Sequence, residues 1–225
     1  MGCVETMDKK RLFKLISSFS MADGGIYKRR QNDNGYFAMN MLSENEDYID
    51  YVKTVIEQLC EVKKTNVSNP CKNPQINIRS MCHPELTSIH SRIYQDKYKG
   101  LDWHFVKNID FEMLSIFYMC DGSLYIEKPN AKKGLRNESV KVTLNMKRLS
   151  YGDAFLLKKF IKENLNLEFN INKQLNKNKT GYYYYLVLRT KDVKSFMEGI
   201  SPYMLESFRR KIYPNDLPLG SCIQG

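Results

Sequence analysis

The chain has 225 residues, of which 42% are hydrophobic and 12% aromatic, enough to bury one large core or two small ones. Its 35 Lys and Arg residues against 25 Asp and Glu give a net charge of +10, so a polyanion is the natural partner, although a solvated basic surface would show the same balance. No run of about 18 apolar residues occurs, no apolar signal segment precedes the first predicted helix, and the six cysteines form no CxxC pair. We therefore expect a soluble, intracellular protein with reduced thiols.

The first half of the sequence predicts the order helix, two strands, helix, two strands, helix. Apolar residues at helical spacing lead into Asp23-Gly24, and a hairpin follows, whose second strand alternates in polarity over residues 36–42. The tetrapeptide beginning at Ser43 has the pattern of a capping box, which predicts the start of a helix there. The remaining predicted elements are strands at 64–68 and 75–79 and a shorter helix from His83 to about Tyr94.

The second half repeats this plan. Asp121-Gly122 again ends a helical stretch and is followed by a strand, a basic loop and a second strand that alternates in polarity from Val140. Ser150 begins another capping-box pattern. Further strands are predicted at 168–173 and 182–190, with a last helix at 192–198 and an irregular segment to 212.

The spacing between equivalent positions indicates an internal duplication. Asp23 and Asp121 are 98 residues apart (121 − 23), whereas Asn40 and Asn145 are 105 apart (145 − 40). The offset grows only across loops, as expected for two copies of one unit. The predicted domains are therefore residues 1–108 and 109–225.

The two repeated aspartates point to a bound cation. Each is predicted at the C-terminal end of a helix, where the helix dipole is already negative and a second negative charge is unfavourable. Such a placement, made twice in one chain, suggests that a positive ion compensates both charges.

The two copies of the motif resemble the LAGLIDADG homing endonucleases of the monomeric kind with two motifs. The resemblance covers residues 7–212, and the stretch 83–123 is most similar to the subgroup found in group I introns. Met21 and Met119 replace an earlier Asp of the motif, which is not the metal ligand in the family. The family letters kept are Ala22, Asp23 and Gly24 in the first copy and Leu114, Asp121 and Gly122 in the second.

The resemblance implies an α+β fold in which two pseudo-twofold related αββαββα units form a concave antiparallel saddle for DNA. It also implies that Asp23 and Asp121 come together as catalytic metal ligands, with the main-chain carbonyls of Ala22 and Cys120 as further ligands. Mg²⁺ is the expected ion, with Mn²⁺ as a substitute and Ca²⁺ supporting binding without cleavage. Such an ion would activate water for hydrolysis of a phosphodiester bond in each DNA strand.

A lysine is also expected at each site. In the family it comes from the segment that follows the last helix of each unit, and it stabilises the charge of the transition state. Lys99 and Lys211 are the predicted catalytic lysines. Lys97 and Arg210 are neighbouring alternatives, and a solvated surface is the ordinary interpretation of any of these charges.

Alternation along the strands predicts which side chains face the major groove of the DNA. Apolar faces are expected to pack on the helices, which leaves the polar faces for base edges and phosphates. Lys28, Arg30, Lys132 and Lys133 are predicted to bind phosphate. The predicted groove-facing residues are Tyr36, Ala38, Asn40, Gln75, Asn77 and Arg79 in the first half, and Lys141, Thr143, Asn145, Lys147, Glu168, Asn170, Asn172 and Arg189 in the second.

These observations favour a site-specific double-strand DNA endonuclease that binds a long asymmetric target as a monomer, because the two halves differ in loops and strand residues. Its own intron RNA is a second possible partner, and no membrane is expected. The alternatives are an intron RNA maturase, a non-cleaving DNA-binding regulator of the same fold, and an unrelated α+β binding protein. A bacterial or phage-infected cytoplasm or an organelle matrix are the compartments compatible with the composition.

Overall fold

The computed structural model describes residues 7–67, 73–95, 98–127, 139–146, 149–175 and 181–212. The chain divides into two compact units, the first formed by residues 1–108 with 205–207 and the second by residues 109–204 with 208–225. The short segment 205–207 counts with the first unit, where the main-chain N–H of Ser207 donates to the carboxylate of Asp47 at 3.0 Å. In the part of the chain described, no helix has the length and apolarity needed to cross a membrane.

The first unit begins with helix α1, whose N-terminus is capped by the Asp8 side chain accepting from the N–H of Arg11 at 3.2 Å. Four strands form one antiparallel sheet in the order β1-β2-β4-β3. A small hairpin, β5–β6, and a one-turn helix, α4, follow the third helix. The elements are α1 (Lys9–Met21), β1 (Gly25–Tyr27), β2 (Tyr36–Leu42), α2 (Glu46–Glu57), β3 (Val62–Val67), β4 (Gln75–Ser80), α3 (Pro84–Ile93), β5 (Tyr94–Gln95), β6 (Tyr98–Lys99) and α4 (Trp103–Val106).

The second unit repeats the element order of the first from α1 to α3. Helix α5 is capped by Asp110, which accepts from the N–H of Met113 at 2.9 Å, and Ser150 and Asp153 form the predicted capping box of α6. Its sheet has the order β7-β8-β10-β9, which matches the order of the first sheet. The elements are α5 (Phe111–Asp121), β7 (Gly122–Glu127), β8 (Ser139–Leu144), α6 (Tyr151–Leu165), β9 (Phe169–Leu175), β10 (Tyr182–Leu188) and α7 (Val193–Ile200).

Each sheet packs one face on helices of its own unit. In the first unit Phe37, Met39 and Ile78 are at most 2% exposed on the helix-covered face, together with residues of α2 and α3. In the second unit Val142 and Leu186 are fully buried in the same manner. The predicted α+β class and the αββαββα order of each half are confirmed.

The glycine that follows each aspartate is required by close packing. Neither Gly24 nor Gly122 has a positive φ angle, so a left-handed conformation is not the reason for a glycine at these positions. A Cβ at Gly24 would lie 2.6 Å from Cζ of Phe37 and 2.8 Å from the carbonyl oxygen of Phe19. A Cβ at Gly122 would overlap the ring and carbonyl oxygen of Tyr118. These glycines let the first strand leave the helix end at a distance that no side chain permits.

Three local predictions differ from the structure. Ser43 does not cap a helix; it begins a 3₁₀ turn (Ser43–Asn45) that has no side-chain cap, and α2 starts at Glu46. Strand β3 starts two residues earlier than expected, at Val62, which adds Val62 and Lys63 to the strand. The β5–β6 hairpin and α4 were not predicted, because strands of two residues and a helix of one turn carry no periodic pattern.

Candidate active site and nucleic-acid interface

Asp23 lies just beyond the end of α1 in the first unit. The helix ends at Met21, and the main-chain N–H groups of Ala22 and Gly24 still donate to Ser18 and Phe19 at 3.0 Å. The Asp23 side chain is exposed and has no hydrogen bond or ion pair with any described residue. Its carboxylate is therefore available to an external ligand at the negative end of the helix dipole.

Lys99 is the cation that the structure brings to this helix end. Its Nζ donates to the carbonyl oxygen of Ala22 and, at 2.9 Å, to that of Gly24, the residues on either side of Asp23. The lysine stands at the end of β6, so the unpredicted hairpin carries it to the helix. Its alternative, Lys97, lies outside the described residues.

The second unit has the same arrangement with different partners. Asp121 is the last residue of α5, is half-buried, and its carbonyl oxygen accepts the N–H of Asn145 at 2.9 Å. Nζ of Lys211 donates to the carbonyl oxygens of Met119 at 2.6 Å and Tyr118 at 3.3 Å. Its alternative, Arg210, is exposed, and its guanidinium lies 5.6 Å from the ring of Phe208.

Tyr118 fixes the segment that carries Lys211. Its hydroxyl donates to the carbonyl oxygen of Lys211 at 2.7 Å, and burial raises the pKa of this hydroxyl, so it remains a donor at neutral pH. In both units a lysine that follows the unit's last long helix donates to two main-chain carbonyls near the motif aspartate, on both sides of Asp23 in the first unit and before Asp121 in the second.

The donor set suits a hard, oxygen-preferring ion. Among the described residues no three His, Cys, Asp or Glu side chains form a group that could hold a metal by themselves. Mg²⁺ does not need such a cage, since it is commonly held by one or two carboxylates with substrate phosphates and water. The exposed Asp23 carboxylate fits this role. The carbonyl of Ala22, also expected as a ligand, already accepts a hydrogen bond from Lys99.

The face of each sheet that is not covered by helices is its open face, and in the first sheet this face is polar. Arg79 lies opposite Ala38 and Lys63, and its guanidinium stacks 4.1 Å from the ring centroid of Tyr36. Asn40 donates from Nδ2 to Oε1 of Gln75 at 2.9 Å. Further pairings on this face include Asn40 opposite Asn77, Asn77 opposite Thr65, and Tyr27 opposite Tyr36.

Lys63 and Thr65 lie on the same face, opposite Arg79 and Asn77, and are not among the predicted interface residues because the sequence analysis assigned no face to this strand. The ammonium of Lys64 pairs with Glu46 and Asp50 of α2 at 2.6 Å, on the helix side of the strand. Its neighbours therefore point to the open face. Glu46 and Asp50 lie one turn apart on the helix before this strand, and their charge complementarity to Lys64 was the sequence signal that could have assigned Lys64 to the helix side.

The corresponding face of the second sheet contains a concavity of about 450 Å³, with Lys141, Asn170 and Arg189 among its lining residues. The amides of Asn170 and Asn172 form no hydrogen bond to any described side chain or backbone group. Arg189 forms an ion pair with Glu168, which Lys162 and Lys191 also approach at 2.9 and 3.5 Å. The hydrogen bond from Lys162 and these neighbouring charges hold the pKa of Glu168 below its usual value.

Other predicted interface residues differ in accessibility. Thr143 is on the open face but is only 6% exposed. Asn145 follows β8 and is half-buried, and its Oδ1 has no partner among the described residues. Lys28 donates from Nζ to the carbonyl of Gln31 within the turn after β1, where Arg30 is exposed. Lys132, Lys133 and Lys147 lie outside the described residues.

Comparison with solved structures shows a shared fold. The fold is similar to that of the homing endonuclease I-WcaI bound to its DNA recognition sequence, with 18% identity, a TM-score of 0.71, and coverage of 92% of this chain and 88% of that one. It is also similar to the meganuclease I-SmaMI bound to uncleaveable DNA (13% identity, TM-score 0.52, coverage 90% and 87%) and to I-AabMI bound to uncleaved DNA (12% identity, TM-score 0.52, coverage 89% and 86%). A search of curated proteins gave no match.

A match to a family model identifies the class, which is that of the site-specific DNA endonucleases. The family can be stated as well. Residues 20–196 match the model of the LAGLIDADG DNA endonuclease family, and the chain belongs to that family. Its enzymes depend on divalent metal ions.

Proposed function

We propose that this chain is a homing endonuclease that acts as a monomer and hydrolyses both strands of a long asymmetric DNA target in the presence of Mg²⁺. The observation that carries the proposal is the repeated pairing at the two motif helices. Lys99 donates to carbonyls on both sides of Asp23, and Lys211 donates to two carbonyls of the last turn before Asp121. A surface lysine would not be expected to adopt this geometry in both copies.

The residues at each helix end have separate roles in this proposal. Asp23 and Asp121 bind divalent metal, which supplies an activated water and stabilises the leaving oxygen when bound. Lys99 and Lys211 hold a positive charge next to the scissile phosphate and offset negative charge that develops there. The hydrogen bonds to main-chain carbonyls keep each ammonium in place before the substrate arrives, which reduces the reorganisation needed in the reaction.

The open faces of the two sheets would bind the DNA. Asn77, Asn170 and Asn172 present amides without partners among the described residues, and amides of this kind form paired hydrogen bonds with adenine edges in the major groove. Lys141 and the exposed Arg30 are suited to phosphate contacts. Because the two faces carry different residues, the two halves of the target should differ in sequence. The maturase and regulator alternatives gain no support from the comparisons.

The test is cleavage of DNA that carries the gene's own flanking sequence without the insertion. With Mg²⁺ we expect double-strand cutting at one site, with Mn²⁺ as a working substitute, and with Ca²⁺ tight binding without cutting. A titration of protein against labelled DNA should give one chain per duplex. Tight binding without cutting in every metal would contradict the nuclease proposal, and selective binding of the intron RNA would favour the maturase.

Arg79 is expected to specify one guanine in the half of the target that faces the first unit. Its stacking on Tyr36 fixes the plane of the guanidinium, and this planar fork matches the two acceptors of guanine. Arg79→Ala should reduce discrimination at a single base pair by about 1–3 kcal/mol, or roughly 5- to 150-fold. The measurement is a binding profile over all single-base variants of the target in Ca²⁺.

Arg30→Ala is the matched control, because it removes the same charge from an exposed turn of the same unit. It should weaken binding to all sequences about equally and lower the salt dependence of binding. Uniform weakening by Arg79→Ala as well would show that Arg79 contacts phosphate.

A further inference from the structure

Asp102 carries a fully buried carboxylate that has no part in binding metal or DNA as proposed above. Its Oδ2 accepts hydrogen bonds from Oγ of Ser17 at 2.8 Å and from Nε of Arg92 at 2.9 Å. Its Oδ1 accepts the main-chain N–H of His104 at 3.2 Å. The side chain of Arg92 is 33% exposed, whereas the carboxylate it pairs with is fully buried. Such an ion pair contributes little net stability compared with well-packed apolar residues.

The ion pair closes the base of the hairpin that carries Lys99. Arg92 lies just before β5 in the chain, and Asp102 lies just after β6. Between them, the N–H of Gly100 donates to the carbonyl of Ile93 at 2.8 Å, next to the pairing of Tyr94 with Lys99. The two arms of the hairpin are therefore joined at their base by a main-chain hydrogen bond and by the ion pair between Arg92 and Asp102.

The same carboxylate attaches the hairpin to the motif helix. Ser17 is a buried residue of α1, and the N–H of Asp102 also lies 3.0 Å from Sδ of Met21, the last residue of that helix. Two points along α1 thus fix the base of the hairpin, while Lys99 reaches the carbonyls beyond the helix end. A shift of this base along α1 would move the ammonium away from Ala22 and Gly24.

We propose that Asp102 is a positioning residue for Lys99: by joining Arg92 of α3 to Ser17 of α1, it sets where the ammonium sits relative to Asp23. The inference rests on the proposed catalytic role of Lys99. The second unit positions its lysine by other means, since the hydroxyl of Tyr118 holds the main-chain carbonyl of Lys211 directly. Substitutions of Asp102 should therefore affect the position of Lys99 alone, and substitutions of Tyr118 that of Lys211 alone.

The experiment measures the rate at which each DNA strand is cut in a single turnover, with each strand labelled separately. Asp102→Asn keeps the shape of the side chain but removes the charge that orients Arg92. We expect it to slow the same strand that Lys99→Met slows, by about ten- to a hundred-fold, because a displacement of about 1 Å can have that effect. Binding in Ca²⁺ should stay within about twofold, since no groove-facing contact changes. Tyr118→Phe should slow the other strand.

Two further variants separate positioning from stability. The double variant Arg92→Met with Asp102→Leu replaces the ion pair by apolar side chains, so its melting temperature should return close to that of the wild type. Its strand-specific rate should remain low, because Ser17 no longer has a carboxylate to bind. Val52→Ala creates a cavity in the fully buried part of α2 and should lower stability without changing the ratio of the two strand rates.

The outcomes are distinct. Equal slowing of both strands by Asp102→Asn, as a general loss of stability would produce, overturns the inference. Full recovery of both rates in the apolar double variant also overturns it, and this variant decides the matter if Asp102→Asn does not fold. Normal cutting of both strands by Lys99→Met would overturn the proposed role of Lys99 as well, whereas the other results leave that role intact.

Discussion

Asp23→Asn and Asp121→Asn are each expected to abolish cleavage while DNA binding persists. Asparagine keeps the size of the side chain and an oxygen acceptor, but it loses the charge that attracts a divalent ion. Metal assistance contributes several kcal/mol to such reactions, so the rate should fall by about 10³-fold or more. The measurement is single-turnover cleavage with Mg²⁺, with affinity determined in parallel in Ca²⁺.

Asp50→Asn is a matched control for this prediction. Asp50 is an exposed residue of α2, and it pairs with Lys64 on the helix-covered side of the first sheet. The substitution makes the same change of charge away from the candidate site. Exposed ion pairs contribute little to stability, so the cleavage rate should stay within about twofold of the wild-type rate. Cleavage by either motif variant at the wild-type rate would remove that aspartate from the metal site.

The substitution of Asp23 by Asn also tests whether negative charge accumulates at the C-terminal end of the motif helix. The C-terminal end of α1 presents carbonyl oxygens and the Asp23 carboxylate at one place, and Lys99 offsets only part of this negative charge. A divalent ion would offset the rest. Replacing Asp23 by Asn in the absence of metal should therefore leave stability unchanged or raise it slightly, because a like-charge repulsion is removed.

Much of the architecture was predictable because it depends on local patterns that occur twice. The motif helices, the capping box at Ser150 and the alternation of β2 and β4 all follow from periodicity and turn chemistry, and the structure has each of them. The duplication made the prediction of secondary structure more certain, since an ambiguous segment in one half could be compared with its equivalent in the other. When local patterns agree with the global fold in this way, the fold can be predicted from the sequence.

The parts that were not predicted depend on long-range contacts. The four consecutive tyrosines of β10 show no change in polarity, so alternation could not assign Tyr183 and Tyr185 to a face; only the pairing of Tyr185 with Asn172 does so. The role of Asp102 was equally hidden, because its partners Ser17 and Arg92 are distant in sequence from one another. The reason for a glycine after each aspartate was hidden in the same way, since it lies in the side-chain and main-chain atoms that pack against Gly24 and Gly122.

Lys99→Met and Lys211→Met are each expected to slow the cutting of one strand and to leave the other nearly unchanged. Methionine preserves much of the length and apolar surface of the lysine but cannot donate to the carbonyls at the helix end. Removal of a preorganised charge that stabilises the transition state typically costs about 10²- to 10³-fold in rate. Each variant should therefore accumulate nicked DNA, with opposite strands cut in the two cases, and the double variant should cut neither.

Two control substitutions make this result specific. Lys53→Met removes an equal charge from α2, where Lys53 pairs with Glu57 at 2.6 Å, and should leave both strand rates unchanged. Arg210→Met tests the exposed neighbour of Lys211, whose guanidinium lies against Phe208 and not at the end of α5 in any described contact. A strand-specific effect of Arg210→Met that exceeds that of Lys211→Met would transfer the role to the arginine. An ammonium that acts locally can stabilise only the phosphate beside it. Equal slowing of both strands by either lysine variant would therefore mean that the charge acts over a longer distance and not from its position at the helix end.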